Sequence, residues 1–124
     1  MMDLTIEVDN EPGSLAQVAQ AISDAGVNIA AATCTRPGEK AEMHILVPHA
    51  EAARHALGIS NLAVTREREV VVVEAPDEPG ALADLARKVA SAGINLDLVY
   101  VATKTRVVFG AEDIEGLKRV LAAS

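Results

Sequence analysis

Asn10-Glu11-Pro12-Gly13-Ser14-Leu15 occurs again, little changed, as Asp77-Glu78-Pro79-Gly80-Ala81-Leu82. Working outward from the two copies, each follows a short apolar stretch and opens a segment with helical periodicity. Each is then closed by a Gly-x-Asn, Gly26-Val27-Asn28 and Gly93-Ile94-Asn95. Every matching position lies at one constant offset, so the block carries no insertion. Glu11, Pro12, Gly13, Leu15, Ala16, Ala19, Ala25, Gly26 and Asn28 are identical in the second copy. A repeat of this kind divides a chain that length alone would assign to one domain. The expected units are residues 1–66 and 67–124. Units of that size bury little surface on their own, so they are expected to pack on each other or on a second chain.

Composition narrows the class. Half the residues are hydrophobic, but there is one Tyr, one Phe and no Trp, so the core must be Val, Ile, Leu and Ala. The net charge of −7 argues against nucleic acid, which is held mainly by Lys and Arg on phosphates. The aromatic platforms of single-strand binders are missing as well. No apolar run approaches the length of a membrane span, and the N-terminus lacks the basic-then-apolar pattern of a signal peptide. One cysteine cannot form an internal disulfide. A cytoplasmic protein without membrane contact is the expectation.

Leu4, Ile6 and Val8 alternate with Thr5, Glu7 and Asp9, which predicts a strand with one buried face. Pro12 suits the first helical position, where its missing N–H costs nothing. Leu15, Val18, Ala19 and Ile22 then form one helical face, and Gly26 ends it. Ile29–Thr35 and Glu42–Val47 read as strands around a turn at Arg36–Glu39. His49–Leu57 reads as a short helix stopped by Gly58, and Leu62–Thr65 as a short fourth strand. Arg66–Glu69 is a charged join without Gly or Pro. Val70–Val73 is a continuous apolar run, as expected of a strand buried on both faces. Leu82, Leu85, Ala86 and Val89 repeat the helical face. Leu96–Ala102, Arg106–Phe109 and the helix carrying Ile114, Leu117 and Leu121 complete the chain. The fold class is α+β: two ferredoxin-like βαββαβ units in tandem, antiparallel sheets with helices on one face, the second lacking its last strand. That absence would leave one edge of Val70–Val73 open. We expect a homodimer, or the fourth strand of the first half, to cover it.

A helix N-terminus offers unsatisfied N–H groups and a positive partial charge, so it attracts a carboxylate. The donors here would be Gly13, Ser14 and Leu15, and Gly80, Ala81 and Leu82. Asn10 and Asp77, at the rim, can receive an ammonium. A carboxylate beside an ammonium is an α-amino acid. The same residues also suit a purely structural role, since Asn and Asp commonly cap helices and Gly-x-Asn commonly ends them. Asn28 and Asn95 stand at the far end of each helix, about 20 Å from the loop by helical rise. They could reach a ligand only across an interface between two modules.

Taken together, the loop, its spacing and the later G-V-N-I-A-A resemble the ACT domain, a βαββαβ regulatory module that binds amino acids. The first loop with Asn28 is similar to the serine-binding ACT domain of 3-phosphoglycerate dehydrogenase. The resemblance implies ligand contact from Asn10, Glu11, Pro12, Gly13, Ser14 and Leu15, and from Asn28 and Ile29 of a facing module. In the second half it implies Asp77, Gly80, Ala81, Leu82 and Asn95. The dehydrogenase loop carries a histidine two residues before the Asn. This chain has Val8 and Ala75 there, so the resemblance implies an amino acid without specifying serine.

No nucleophile elbow, phosphate-binding loop or dinucleotide fingerprint is present. His44, His49 and His55 lack metal-site spacing and read as surface histidines, and Cys34 as a buried inert thiol. No catalytic residue, cofactor or metal is expected. The leading expectation is a non-catalytic sensor of an amino acid or similar small ligand, acting as a homodimer and on a catalytic partner. The alternatives are an interaction subunit whose loops are only caps, and an enzyme on the same scaffold.

Overall fold

A computed structural model describes residues 1–122 and divides the chain into two compact units after Arg68. The first contains β1 (Met2–Val8), α1 (Ser14–Asp24), β2 (Ala31–Thr35), β3 (Ala41–Val47), α2 (Ala50–Ile59) and β4 (Ala63–Glu69). Its sheet runs in the order β2-β3-β1-β4, with β3 antiparallel to both β1 and β2. The second contains β5 (Val71–Glu74), α3 (Ala81–Ser91), β6 (Leu98–Ala102), β7 (Arg106–Gly110) and α4 (Ile114–Ala122), on an antiparallel sheet ordered β5-β7-β6. This is the expected pair of ferredoxin-like units, with three strands in the second sheet among the described residues.

The first core joins Leu4, Ile6 and Val8 of β1, Met43, Ile45 and Val47 of β3, Val18 and Ile22 of α1, and Ala53 and Leu57 of α2. The second joins Val107 and Phe109 of β7, Val89 of α3, and Leu117 and Leu121 of α4. Phe109, the single Phe, is fully buried there. Each apolar set falls on alternate strand positions and on one helical face, so burial follows the backbone periods.

Both duplicated helices end alike. Gly26 (φ 72°) and Gly93 (φ 75°) take the left-handed conformation that glycine adopts without Cβ strain. Val27 N–H then reaches back to Ile22 O, and Ile94 N–H to Val89 O.

Several local expectations are corrected. Helix α1 begins at Ser14, with Gly13 as its cap at φ 92°, so Pro12 lies in the preceding turn rather than at the first helical position. The buried face of α1 is Ser14, Val18, Ala21 and Ile22, while Leu15 is exposed. Starting the helix on a left-handed glycine sets its rotation about its own axis, and Leu15 turns outward. Gly58 does not stop α2. The helix runs on to Ile59 and ends where Asn61, a residue that tolerates positive φ, sits at 58°. Strand β4 is longer than Leu62–Thr65 and absorbs the charged Arg66–Glu69, because pairing with β1 is made by backbone and tolerates exposed charge.

Val71–Val73 are only half-buried, not enclosed on both faces, since β5 is an edge strand. β4 is hydrogen-bonded to β1 in the first sheet. Conversely β1, expected to bury one face, buries both. Asp3 and Thr5 are 0% and 4% exposed, and Leu46 on the same side of β3 is fully buried. Polarity misled here because these polar groups are paired: among the described residues no buried side-chain N or O lacks a partner.

Candidate functional site

The two loops have the same backbone. Glu11 N–H turns back to Asp9 O and Ser14 N–H to Glu11 O. In the second copy Glu78 N–H bonds Pro76 O and Ala81 N–H bonds Glu78 O. Gly13 and Gly80 follow at φ 92° and 90°, each with open space where a Cβ would stand. Of the three amides expected to be free in each loop, those of Ser14 and Ala81 are therefore used by the turn. Among the described residues the amides of Gly13 and Leu15, and of Gly80 and Leu82, have no partner. They sit at the positive end of an eleven-residue helix.

Neither helix has a side-chain cap. Asn10 and Asp77, which could have been ordinary N-caps, stand three residues before the capping glycine and are exposed. Leu15 and Leu82 are 58% and 44% exposed beside them. The copies differ at the next residue. Ser14 is buried and its Oγ donates to Asp9 O at 2.7 Å, tying the first loop to the end of β1, whereas Ala81 has no hydroxyl. Asn28 and Asn95 are exposed at the other end of their helices, with Ile29 half-buried. Eleven residues of helix are about 16 Å long, so neither Asn meets the loop of its own unit.

A cavity of about 330 Å³ is formed against the second loop. Asp77, Glu78 and Leu82 line it from the loop side, and Val101, Thr105, Arg106 and Val107 from the β6–β7 hairpin. The hairpin residues were not among those expected at a site. Finding them requires the strand register, which depends on hairpin length. Thr35 pairs with Glu42 across residues 36–41, but Ala102 pairs with Arg106 across residues 103–105. Lys104 and Thr105 take positive φ in that tight turn, and Thr105 O receives Ala75 N–H at 2.8 Å, which holds the turn against the end of β5.

His44 is not a surface histidine. Its Nδ1 lies 2.9 Å from Asp3 Oδ2 and its Nε2 3.2 Å from Glu42 Oε1, with Thr5 Oγ1 3.4 Å from Nδ1. Two carboxylates facing the two ring nitrogens are both satisfied only by the doubly protonated ring. The hydrogen bond to Asp3 raises the imidazole pKa above its ordinary value. Partial burial opposes this, and the charges of Asp3 and Glu42 add to it. His49 and His55 are exposed, as expected. Cys34 is exposed rather than buried, since it lies on the edge strand β2. Among the described residues no group of His, Cys, Asp and Glu could hold a metal ion, and no helix is long and apolar enough to cross a membrane.

The ACT-domain family model matches residues 2–57 and 70–123, and the chain belongs to the ACT family, whose domains are regulatory and often bind amino acids. Among solved structures it is similar to protein BT0572 from Bacteroides thetaiotaomicron. The two are 23% identical over 98% of this chain and 86% of that one, with a TM-score of 0.86. The ligand-free regulatory subunit of aspartate kinase from Thermus thermophilus is 21% identical over 98% and 90%, with a TM-score of 0.72. The regulatory subunit from Thermus flavus is 21% identical over the same shares, with a TM-score of 0.68. No curated protein matches at the level of sequence.

Proposed function

We propose that the protein is a non-catalytic amino-acid sensor that binds its ligand at the duplicated loop. One observation carries this: Asn10 and Asp77 cap no helix, so the structural role that would account for them is not the one they perform. They stand exposed beside two uncommitted amides, an arrangement suited to an ammonium and a carboxylate on one carbon. In the first unit the proposed ligand contacts are Asn10, Glu11, Pro12, Gly13, Ser14 and Leu15, with Asn28 and Ile29 supplied by a second copy of the chain. Asn28 cannot reach the loop of its own unit, so the reading needs a facing module, which we take a second copy of the chain to supply. Binding would favour one arrangement of modules over another to the extent of its differential affinity. The regulatory subunits among the structural neighbours support a catalytic enzyme as the regulated partner.

The test is thermal unfolding of the purified protein against each of the twenty amino acids. A ligand at 100 times its dissociation constant that binds only the folded state adds about 2.7 kcal/mol. The shift should vanish in Asn10→Ala and in Asn28→Ala while their unliganded melting temperatures stay put. If no amino acid produces a shift, the sensor reading fails. The chain is then an interaction subunit, and capture of a catalytic partner by the intact chain becomes the measurement.

A further inference from the structure

A cavity of about 390 Å³ lies in the first unit between α2 and β4, and no residue of either duplicated loop lines it. β4 returns alongside α2 after the turn at Asn61, so Arg54 of the helix meets Arg66 and Glu67 of the strand in the cavity wall. Arg54 Nη1 donates to Glu67 Oε2 at 2.6 Å. That bond fixes the guanidinium and leaves its Nε and Nη2 donors uncommitted. Arg66 has no hydrogen bond or ion pair among the described residues. Two cations thus share one carboxylate. Beside them Leu62 and Val64, which pack on the core of the unit, form an apolar part of the wall.

The carbonyl end of a helix disfavours an anion, and α2 ends close by, with Gly58 in the wall. Its last carbonyls are already occupied: Ala56 O accepts from Ser60 N–H, Leu57 O from Leu62 N–H and Gly58 O from Asn61 N–H. The two guanidiniums therefore set the sign of the cavity. The second unit does not repeat this arrangement. Ala53 and Leu57 of α2 and Leu117 and Leu121 of α4 hold matching core positions, so Lys118 corresponds to Arg54. Lys118 is paired with both Glu69 and Glu115. Glu51, the counterpart of Glu115, makes no ion pair among the described residues, and among them no strand follows α4.

We propose that the cavity between α2 and β4 binds a small phosphate monoester with a compact apolar group. The phosphate bridges Arg54 and Arg66, and the apolar group lies on Leu62 and Val64. A phosphate monoester carries a charge of about −1.5 to −2 at neutral pH and several strong acceptor oxygens, enough to engage two guanidinium forks on different elements. A carboxylate offers one charge and two oxygens, which one fork satisfies. The net charge of −7 disfavours the surface of a nucleic acid or an anionic membrane, so the fitting occupant is a small soluble ester. This site and the amino-acid reading of the loops stand independently of each other.

Isothermal titration of the full chain tests it with phenyl phosphate, beside phenol, which lacks the phosphate, benzoate, which has a carboxylate instead, and inorganic phosphate, which lacks the ring. Phenyl phosphate should bind once per chain, with each of the other three at least about tenfold weaker, the effect of losing one good contact. Arg54→Gln and Arg66→Gln should each weaken phenyl phosphate about ten- to a hundredfold, the usual effect of losing a charge-assisted contact. Arg36→Gln, an equal change of charge at an exposed turn, should leave it unchanged, and so should Asn10→Ala. Benzoate or inorganic phosphate binding as tightly as phenyl phosphate to the unaltered protein overturns the proposal, whether or not the variants fold. So does unchanged affinity in folded Arg66→Gln, or an equal loss in Arg36→Gln, which a general effect of charge would give. Silence from phenyl phosphate overturns it too, and leaves the sensor reading of the loops untouched.

Discussion

Replacing His44 with leucine should cost more stability than any surface change in the first unit. Asp3 is fully buried, and its Oδ2 accepts from the imidazolium at 2.9 Å; the ring's other nitrogen faces Glu42 at 3.2 Å. His44 lies directly across from Thr5 on the paired strands, so the contact also links β1 to β3 in the centre of the sheet. Removing one member of a buried ion pair typically costs about 3–5 kcal/mol, because the remaining charge stays in a low-dielectric site. The His44 side chain is 16% exposed, which places the expected loss near the lower end, about 3 kcal/mol. With a urea dependence of about 2 kcal/mol/M, the unfolding midpoint would fall by about 1.5 M. The Asp3→Leu/His44→Leu double variant should recover most of that loss, since apolar residues then replace both charges. The sign of the pH dependence is also set. The folded-state pKa of His44 is raised. Its contribution is therefore complete below the unfolded value of about 6.5 and disappears as pH rises through the folded value. The gap between the unaltered protein and His44→Leu should accordingly be widest in mildly acidic buffer and narrow in alkaline buffer. A loss under about 1 kcal/mol, far below the range for a broken buried pair, would refute the reasoning. A gap that widens with pH would refute it too.

Two smaller perturbations probe the loop itself. Gly13→Ala places a Cβ in open space but at φ 92°, so only backbone strain acts; a loss of about 1–2 kcal/mol in urea unfolding is expected, and Gly80→Ala at φ 90° should match it. Ser14→Ala removes the hydroxyl bond to Asp9 O and should cost about 1 kcal/mol. Its counterpart Ala81→Ser should gain nothing comparable unless the second loop can offer the same carbonyl.

Much of the fold was legible in the residues because it follows from local periodicity and punctuation. Alternation over Leu4–Val8 and Met43–Val47, the helical face from Val18 to Ile22, and the glycines at 26 and 93 each act within a few positions. The misjudged features depend on partners distant in sequence. Asp3 and Thr5 resemble solvent-facing strand residues until His44, about forty positions away, is seen to bond them. Val71–Val73 resembles a central strand, but only the sheet order reveals an edge. Cys34 and Leu15 resemble core residues until strand position and helix rotation turn them outward.

The candidate site divides along the same line. The sequence by itself determined that there are two loops, that each opens a helix, and that Asn10, Asp77, Asn28 and Asn95 flank them, because repetition and glycine–proline punctuation are properties of the chain. Only the tertiary structure decided that Asn10 and Asp77 cap nothing, and that the second loop faces Arg106 where the first unit has Glu42. The physical reason is register. A hairpin shorter by a few residues brings a different side chain to the same place beside the loop, and that placement is set by inter-strand hydrogen bonds rather than by neighbours along the chain.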